Sequence, residues 1–137
     1  MDPFARTTRL SSAPLVSIVD DDESVRMATA RFLRLHGFIT SVFSSAEEFL
    51  LSPRVDDTAC LITDVKMPGM NGVELQHHLI ARGKRVPIIF ITAFPEAGSQ
   101  AKALAAGAAG FLTKPFSGKS LVDCVNDALK AACATRD

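Results

Sequence analysis

Acidic residues stand at the ends of two apolar segments of the sequence. Asp20, Asp21 and Asp22 follow LVSIV, and Asp64 follows CLIT. A carboxylate at the end of a buried segment costs free energy unless a cation or a proton compensates its charge. Oxygen ligands without His or Cys favour a hard cation, and an open site with few protein ligands favours Mg²⁺ over Ca²⁺. If these carboxylates meet in the folded chain, we expect them to bind Mg²⁺.

Two further apolar segments end in residues that suit phosphate chemistry. PIIFI is followed by Thr92 and Ala93, and AGFLT is followed by Lys114. An aspartate beside Mg²⁺, an ammonium group and a hydroxyl group is equipped to attack phosphorus, because the cations neutralise charge on the transferring group. Ala93 is small and leaves space beside such a group. We interpret Asp64 as the nucleophile, because the segment before it is the most apolar and is predicted to be a central strand.

The residues after Asp64 predict a sharp turn. Pro68 and Gly69 favour this turn, which leaves the backbone carbonyl of Lys66 free to bind the metal. The side chain of Lys66 adds a positive charge near the predicted site. We expect that charge to influence the lifetime of a phosphoryl group on Asp64.

Taken one at a time, the same residues have ordinary structural explanations. Asp22 would cap a helix that begins near Glu23. Lys114 and Pro115 would form a turn, and Thr92 would simply end a strand. Their coincidence at the ends of four different apolar segments is what favours a functional site.

The elements that must position these residues alternate between strand and helix. Short apolar runs predict five strands, at 15–19, 38–43, 59–63, 87–92 and 109–113. Helical spacing and terminal signals predict helices at 23–36, 45–51, 71–82 and 96–106 and one that Ser117 caps. Ser45 and Glu48 have the spacing of a capping box. The third and fourth strands are apolar almost throughout, which is typical of a parallel sheet buried on both faces. The pattern predicts a three-layer α/β fold with ligands at the carboxyl ends of the strands.

The composition is that of a single folded domain. The chain has 137 residues, 47% of them hydrophobic, which suffices for one core. Fifteen basic residues balance 15 acidic ones, so direct contact with nucleic acid is not expected. No apolar run approaches the roughly 18 residues of a membrane-spanning helix. Three cysteines without metal-type spacing, Cys60, Cys124 and Cys133, are predicted to be reduced, as in a cytoplasmic protein.

Four motifs together resemble the receiver domain of bacterial two-component response regulators. They are VDDDESVR, ITDVKMPGMNG, IFITA and GFLTKPF. Their residues are most similar to the corresponding motifs of receivers that precede a LuxR-type helix-turn-helix domain. The resemblance implies a flavodoxin-like (βα)5 fold with a five-stranded parallel sheet of order 2-1-3-4-5. It covers residues 15–132, which leaves residues 1–14 as a flexible leader and residues 133–137 as a C-terminal tail.

The resemblance also implies a role for each residue that matches a family motif. Asp64 matches the phospho-accepting aspartate, and the backbone carbonyl of Lys66 matches a metal ligand. Asp20 and Asp21 match the acidic pair, with Asp21 as the direct metal ligand and Asp20 acting largely through water. The alternative pair is Asp21 and Asp22, although counting to Arg26 favours the first assignment.

The remaining site residues belong to the conformational response. The resemblance implies that Thr92 and Lys114 contact the phosphoryl group, with Ala93 beside it. Phe111 matches an aromatic residue that turns inward as Thr92 moves toward the phosphoryl group. The peptide bond between Lys114 and Pro115 is similar to one that is commonly cis.

The function implied is that of a regulatory switch and not of an enzyme. A sensor histidine kinase donates a phosphoryl group to Asp64 with Mg²⁺ as cofactor, and the face formed by the fourth helix, fifth strand and fifth helix changes shape. That face is also the expected surface for a homodimer on activation. The expected output is transcription through a DNA-binding domain that this chain lacks, and no membrane contact is expected.

Two alternatives to a transcriptional switch are open at this point. An aspartyl phosphatase would need a second Asp two residues after the nucleophile, where this sequence has Lys66. A stand-alone adaptor or phosphate sink would use the same receiver chemistry without an output domain.

Overall fold

The protein contains one five-stranded sheet that is parallel throughout. The computed structural model describes residues 13–136, and their side chains as far as residue 132. The strands are β1 (Leu15–Val19), β2 (Ile39–Phe43), β3 (Cys60–Asp64), β4 (Ile88–Thr92) and β5 (Gly110–Thr113). Their spatial order is β2-β1-β3-β4-β5. The predicted α/β class, the parallel pairing and the strand order are therefore confirmed, and β3 lies at the centre.

Helices follow every strand and cover both faces of the sheet. They are α1 (Glu23–Leu35), α2 (Ala46–Leu51), α3 (Gly72–Ala81), α4 (Ala97–Ala105) and α5 (Gly118–Arg136), with a 3₁₀ turn at Pro53–Val55. One buried cluster includes Phe49, Leu75 and Phe90, and a second cluster includes Leu33 and Ile62. Because successive residues of a strand point to opposite faces, each central strand contributes to both clusters.

The helix starts mostly follow the predicted capping signals, with one correction. Ser45 Oγ accepts a hydrogen bond from Glu48 N at 3.0 Å, but the Glu48 carboxylate accepts from Ser44 N at 2.7 Å. The reciprocal bond of a capping box is therefore displaced by one residue. A complete capping box forms instead at Asn71 and Glu74, where each side chain accepts from the other residue's backbone amide.

Two predicted segments lie at the ends of the described chain. The expected leader, residues 1–14, falls almost entirely outside the described residues, which begin at residue 13. Helix α5 continues to Arg136, into the segment that we delimited as a C-terminal tail. Between residues 13 and 136, no helix combines the length and apolar character needed to cross a bilayer.

Candidate functional site

The register of the sheet places the predicted acidic residues next to one another. Val19 of β1 pairs with Thr63 of β3, so the residues that follow, Asp20 and Asp64, are neighbours at the carboxyl edge. Both are buried, with exposed fractions of 0% for Asp20 and 7% for Asp64. Parallel pairing thus brings together carboxylates that are 44 residues apart in sequence.

The three consecutive aspartates after β1 have three different environments. Asp20 Oδ1 accepts a hydrogen bond from Asp22 N at 2.9 Å, while Asp21 is exposed. Asp22 is the N-cap of α1, and its Oδ1 accepts from Ser24 N at 3.0 Å and Val25 N at 3.3 Å. Both backbone hydrogen bonds lower the pKa of Asp22, and the bond from Val25 N has the largest effect. The structural explanation for Asp22 is therefore correct, and this geometry favours Asp20 and Asp21 as the acidic pair.

Asp64 is held where the end of β3 meets the start of α3. Its Oδ1 accepts a hydrogen bond from Lys66 N at 3.1 Å. Gly72, the first residue of α3, packs so closely that a Cβ there would lie 2.3 Å from the Asp64 carbonyl oxygen. A residue with a side chain would require the helix start or the strand end to move.

Lys114 joins the two buried carboxylates. Its Nζ lies 2.7 Å from Asp64 Oδ2 and 3.1 Å from Asp20 Oδ2. The backbone of Lys114 donates to Thr92 O at 2.8 Å, and the Lys114–Pro115 peptide bond is cis. The segment after β5 therefore carries the ammonium group back over the ends of β1 and β3.

The carboxylates shift the pKa of the ammonium group that they hold. Burial by itself would lower the pKa of Lys114, but the hydrogen bonds to Asp64 and Asp20 outweigh it, and the net pKa is raised. Burial raises the pKa of Asp20, and the backbone amide of Asp22 and the ammonium of Lys114 oppose that shift. An additional positive charge at this position would favour the ionised form of Asp20.

The residues present fit a hard divalent cation. Asp20, Asp21 and Asp64 each offer a carboxylate oxygen, and these oxygens lie within 4.8 Å of one another. Asp20 Oδ2 is buried and has no hydrogen-bond partner among the described residues, although it lies within ion-pair distance of Lys114. An all-oxygen donor set with an unsatisfied buried oxygen suits Mg²⁺ better than a softer metal.

Thr92 is the last residue of β4, next to β3, and Phe111 lies two residues before the end of β5. Thr92 is buried, and its Oγ1 accepts a hydrogen bond from Phe94 N at 3.1 Å. Ala93, the next residue, is exposed. Phe111 is half-buried and stacks on Phe90, with ring centroids 5.3 Å apart. The hydroxyl of Thr92 thus lies at the carboxyl edge of the sheet, bonded to Phe94 N and not to a carboxylate of the cluster, while the ring of Phe111 lies further back beside Phe90.

The side chain of Lys66 points away from the carboxylates. Its Nζ forms an ion pair with Glu96 Oε2 at 3.2 Å and lies 5.9 Å from the ring centroid of Phe94. Both partners of the ion pair are more than half exposed, so we expect it to contribute little to stability.

Arg26, Glu47 and Gly72 also shape the site, although the sequence predicted a contact with the site for none of them. Arg26 Nη1 donates to Asp20 O at 2.7 Å, and Glu47 Oε2 accepts from Met70 N at 3.0 Å. The bond to Met70 N lowers the pKa of Glu47 and holds the loop in which Gly69 adopts φ +75°. The spacing of Arg26 from the acidic residues is a usable sequence signal, whereas Glu47 and Gly72 carry none.

Comparison with known proteins gives one family. The family described as "Response regulator receiver domain" matches residues 16–126. The response regulator protein TodT of Pseudomonas putida is 39% identical over 120 residues, which are 88% of this chain and 53% of TodT. The transcriptional regulatory protein FixJ of Azorhizobium caulinodans is 36% identical over 114 residues, which are 83% of this chain and 54% of FixJ. The chain thus spans about half the length of these relatives.

Solved structures agree with the sequence comparison. A response regulator receiver protein from Burkholderia phymatum is 43% identical, with a TM-score of 0.74, over 85% of this chain and 95% of that one. At this identity the likeness extends beyond the fold to the sequence of the domain.

Proposed function

Because this chain belongs to the response regulator receiver domain family, we propose that it is a switch controlled by phosphorylation of Asp64. Receiver domains act as regulatory phospho-accepting domains that partner with sensor histidine kinases. The kinase of this system would transfer the phosphoryl group from its phosphohistidine to Asp64. The observation that carries this proposal is the meeting of Asp20, Asp21, Asp64 and Lys114 at one edge of the sheet.

Asp64 is the best-placed nucleophile of the three carboxylates. Asp20 is fully buried, and one of its oxygens is already bonded to a backbone amide. Asp64 ends the central strand, retains some exposure, and directs Oδ2 toward the ammonium of Lys114. Attack by a carboxylate oxygen needs an accessible oxygen with a cation close enough to stabilise the incoming phosphoryl oxygens.

Mg²⁺ is the cofactor that this proposal requires. Asp20, Asp21, Asp64 and the Lys66 carbonyl would hold it, with Asp20 acting largely through water. When bound, Mg²⁺ supplies positive charge next to the phosphoryl oxygens. Lys114, in the segment that follows β5, would supply a second positive charge, because its Nζ lies 2.7 Å from Asp64 Oδ2.

The response to phosphorylation would pass through the ends of β4 and β5. A new phosphoryl group attracts Lys114 and the hydroxyl of Thr92, with Ala93 leaving room beside it. Thr92 Oγ1 would then give up its bond with Phe94 N, and Phe111 would turn further toward the core. This redistribution between two states changes the face formed by α4, β5 and α5, on which we propose that a homodimer forms.

The proposed output is transcription, through a domain beyond this chain. The homologues include transcriptional regulators, and FixJ is one of them. The domain would promote its own phosphorylation and hydrolysis but would not act as an enzyme on other substrates. An aspartyl phosphatase is disfavoured by Lys66 at the position where such an enzyme needs an acid. The proposed location is the cytoplasm, where response regulators typically act.

Phosphorylation in vitro tests the assignment of Asp64. The wild-type protein, incubated with Mg²⁺ and acetyl phosphate, should gain one phosphoryl group, detected by intact-mass spectrometry. Asp64→Asn should gain none, because an amide is not a nucleophile here. Asp57→Asn, a matched change at an exposed residue, should behave like the wild type.

Removal of the metal with a chelator tests the proposed role of Mg²⁺. Excess chelator should reduce the reaction at least about a hundredfold, because the cation stabilises the charge of the transferring group. Equal modification of the wild-type and Asp64→Asn proteins would refute the role of Asp64. Full reaction in excess chelator would refute the role of Mg²⁺.

A further inference from the structure

An apolar groove lies beside the proposed phosphorylation site. It encloses about 560 Å³ between α1 and the segment that joins β5 to α5. Val25 and Phe32 line it from α1, and Pro115 and Phe116 line it from the opposite side. A volume of roughly 300–1,000 Å³ with mostly apolar walls is typical of sites for small molecules.

The groove opens onto the phosphorylation site through two residues. Ala93 and Lys114 both line it, and the Nζ of Lys114 is 2.7 Å from Asp64 Oδ2. Ala93 is exposed and follows Thr92 directly. A molecule in the groove is therefore able to place an anionic end on the ammonium while its apolar part lies between α1 and Phe116.

The walls of the groove are held in place by packing. A Cβ at Gly118, the first residue of α5, would lie 2.2 Å from Phe32 Cζ, so the ring lies directly against the helix backbone. The ring of Phe32 also contacts His36, with centroids 4.5 Å apart. Leu121, which is 1% exposed, adds a further apolar wall. These contacts preform the groove, which reduces the entropic cost of binding.

The chemistry of the groove selects one kind of occupant. Its walls would bury an apolar group favourably, while Lys114 attracts one negative charge at the inner end. A small polar anion would leave the apolar walls in water. A neutral apolar molecule would gain nothing from the ammonium, which is shared between the carboxylates of Asp20 and Asp64 and which a further anionic group can also approach from the groove. An apolar molecule with a single anionic end next to Asp64 meets both requirements.

We propose that the groove binds the acyl group of a small-molecule phosphoryl donor, so that the protein prefers acyl phosphates with an apolar acyl group. The inference rests on the proposed function of Asp64. In the reaction, an oxygen of Asp64 forms a bond to phosphorus while the bond from phosphorus to the acyl oxygen breaks. The leaving carboxylate takes the bonding electron pair, and no proton is transferred.

A comparison of two donors tests the proposal. Benzoyl phosphate and acetyl phosphate are each reacted with the protein and Mg²⁺, and the second-order rate constants for phosphorylation of Asp64 are measured. Ala28 lines the groove and is exposed, so Ala28→Trp should fill it without disturbing the core. We expect this change to slow the reaction with benzoyl phosphate about tenfold. The rate with acetyl phosphate should change less than about twofold.

Met27→Trp is the matched control. Met27 precedes Ala28 in α1, is 45% exposed and lies outside the lining of the groove. Met27→Trp should leave the rate constants for benzoyl phosphate and acetyl phosphate, and therefore their ratio, as in the wild type. For each protein, the rate constant with benzoyl phosphate is divided by the rate constant with acetyl phosphate, and this ratio is compared with that of the wild type. The different intrinsic reactivities of the two donors therefore do not affect the conclusion.

Binding measured without chemistry provides a second test on the unaltered protein. Phenylphosphonate should bind to the protein with Mg²⁺ about tenfold more tightly than methylphosphonate, and it should shift the NMR signals of α1 and of residues 115–118. Equal affinities would overturn the proposal.

The outcomes of the donor comparison distinguish a failure of the groove proposal from a failure of the proposed function. If acetyl phosphate modifies Asp64 but Ala28→Trp and Met27→Trp have the same donor ratio, the groove proposal is refuted and the proposed function stands. If neither donor modifies the wild-type protein, both are refuted.

Discussion

At the scale of single residues, Lys114 holds a position that a divalent cation would also favour. Its ammonium lies within 3.1 Å of carboxylate oxygens of both Asp20 and Asp64. These two oxygens belong to residues that we propose as metal ligands. Like charges that meet at one edge of a sheet are stable only with compensation, so the ammonium would compete in part with the proposed metal for the same negative charge.

Replacing Lys114 should therefore strengthen metal binding. In Lys114→Ala, the carboxylates lose their ammonium partner, and we expect the Kd for Mg²⁺ to fall about three- to tenfold. The shift of Tm caused by Mg²⁺ should be correspondingly larger than in the wild type. A thermal unfolding series over Mg²⁺ concentration measures both quantities.

The control for this prediction is a lysine outside the site. Lys119 pairs with Asp123 one helical turn away on the exposed face of α5, so Lys119→Ala should leave the response to Mg²⁺ unchanged. A smaller Mg²⁺ effect in Lys114→Ala than in the wild type would contradict competition at the carboxylates.

At the scale of elements, the site depends on how closely α3 begins behind β3. Gly72 supplies the close approach, because its missing side chain leaves room for the Asp64 carbonyl. Gly72 N also donates to Val65 O at 2.9 Å. The first residue of α3 thus positions the last residue of β3 by direct contact.

Gly72→Ala should destabilise the protein. The added Cβ would lie 2.3 Å from backbone oxygen, which cannot move independently, and overpacking of this kind costs roughly 1–3 kcal/mol. Gly98→Ala in α4 meets no atom within 4 Å and should instead stabilise by roughly 0.5–1 kcal/mol. Urea unfolding of the two variants measures both changes, and equal free energies of unfolding would contradict the contact.

A second contact between elements joins α3 to α4. Gln76 is 2% exposed, and its Nε2 donates to Ala103 O at 3.1 Å. Its Oε1 is buried and has no partner among the described residues. Ala103 O also accepts from Ala108 N, so it stays bonded if the Gln76 side chain is removed.

Two substitutions of Gln76 should have opposite effects. Gln76→Met removes the unsatisfied oxygen at similar volume and should raise the free energy of unfolding by up to about 1 kcal/mol. Gln76→Glu buries a charge without a partner and should lower it by roughly 2–3 kcal/mol at pH 7. Denaturant unfolding checks both, and a strongly destabilised Gln76→Met protein would show that the amide matters more than we infer.

At the scale of the whole molecule, the sheet is buried on both faces, and the central strand is the best-protected part. Cys60 in β3 is 0% exposed. Burial, and to a smaller extent the nearby Cys124, raises the pKa of the Cys60 thiol to about 12. The thiol is therefore protonated and unreactive while the sheet is intact.

Alkylation of Cys60 should report unfolding of the domain. At pH 8 the native protein should react with iodoacetamide at Cys60 only as fast as it unfolds, whereas urea should expose the thiol to rapid labelling. Peptide mapping after timed labelling measures the rate at this residue. Labelling under native conditions at the rate of an unfolded control would show that β3 is accessible in the folded state.

The local pattern of the sequence was sufficient to predict the secondary-structure elements and much of the candidate site. Apolar runs and helix signals located the five strands and the first four helices to within one residue, and they located the start of α5. They did not give the end of α5, and they missed the 3₁₀ turn at Pro53–Val55. The strand-end rule for parallel sheets placed Asp20, Asp64 and Lys114 together, since it needs only the end of each strand. The strand order required the resemblance to a family, because hydrophobic runs do not specify which strands are neighbours.

Only the tertiary structure decided contacts that depend on how elements pack. The separate environments of Asp20 and Asp22, the approach of Gly72 to Asp64 and the bond from Met70 to Glu47 are all of this kind. The groove between α1 and the segment that joins β5 to α5 also depends on how elements pack. Sequence periodicity determines which face of an element is buried, but the distance between two faces follows from the shapes of all the side chains between them.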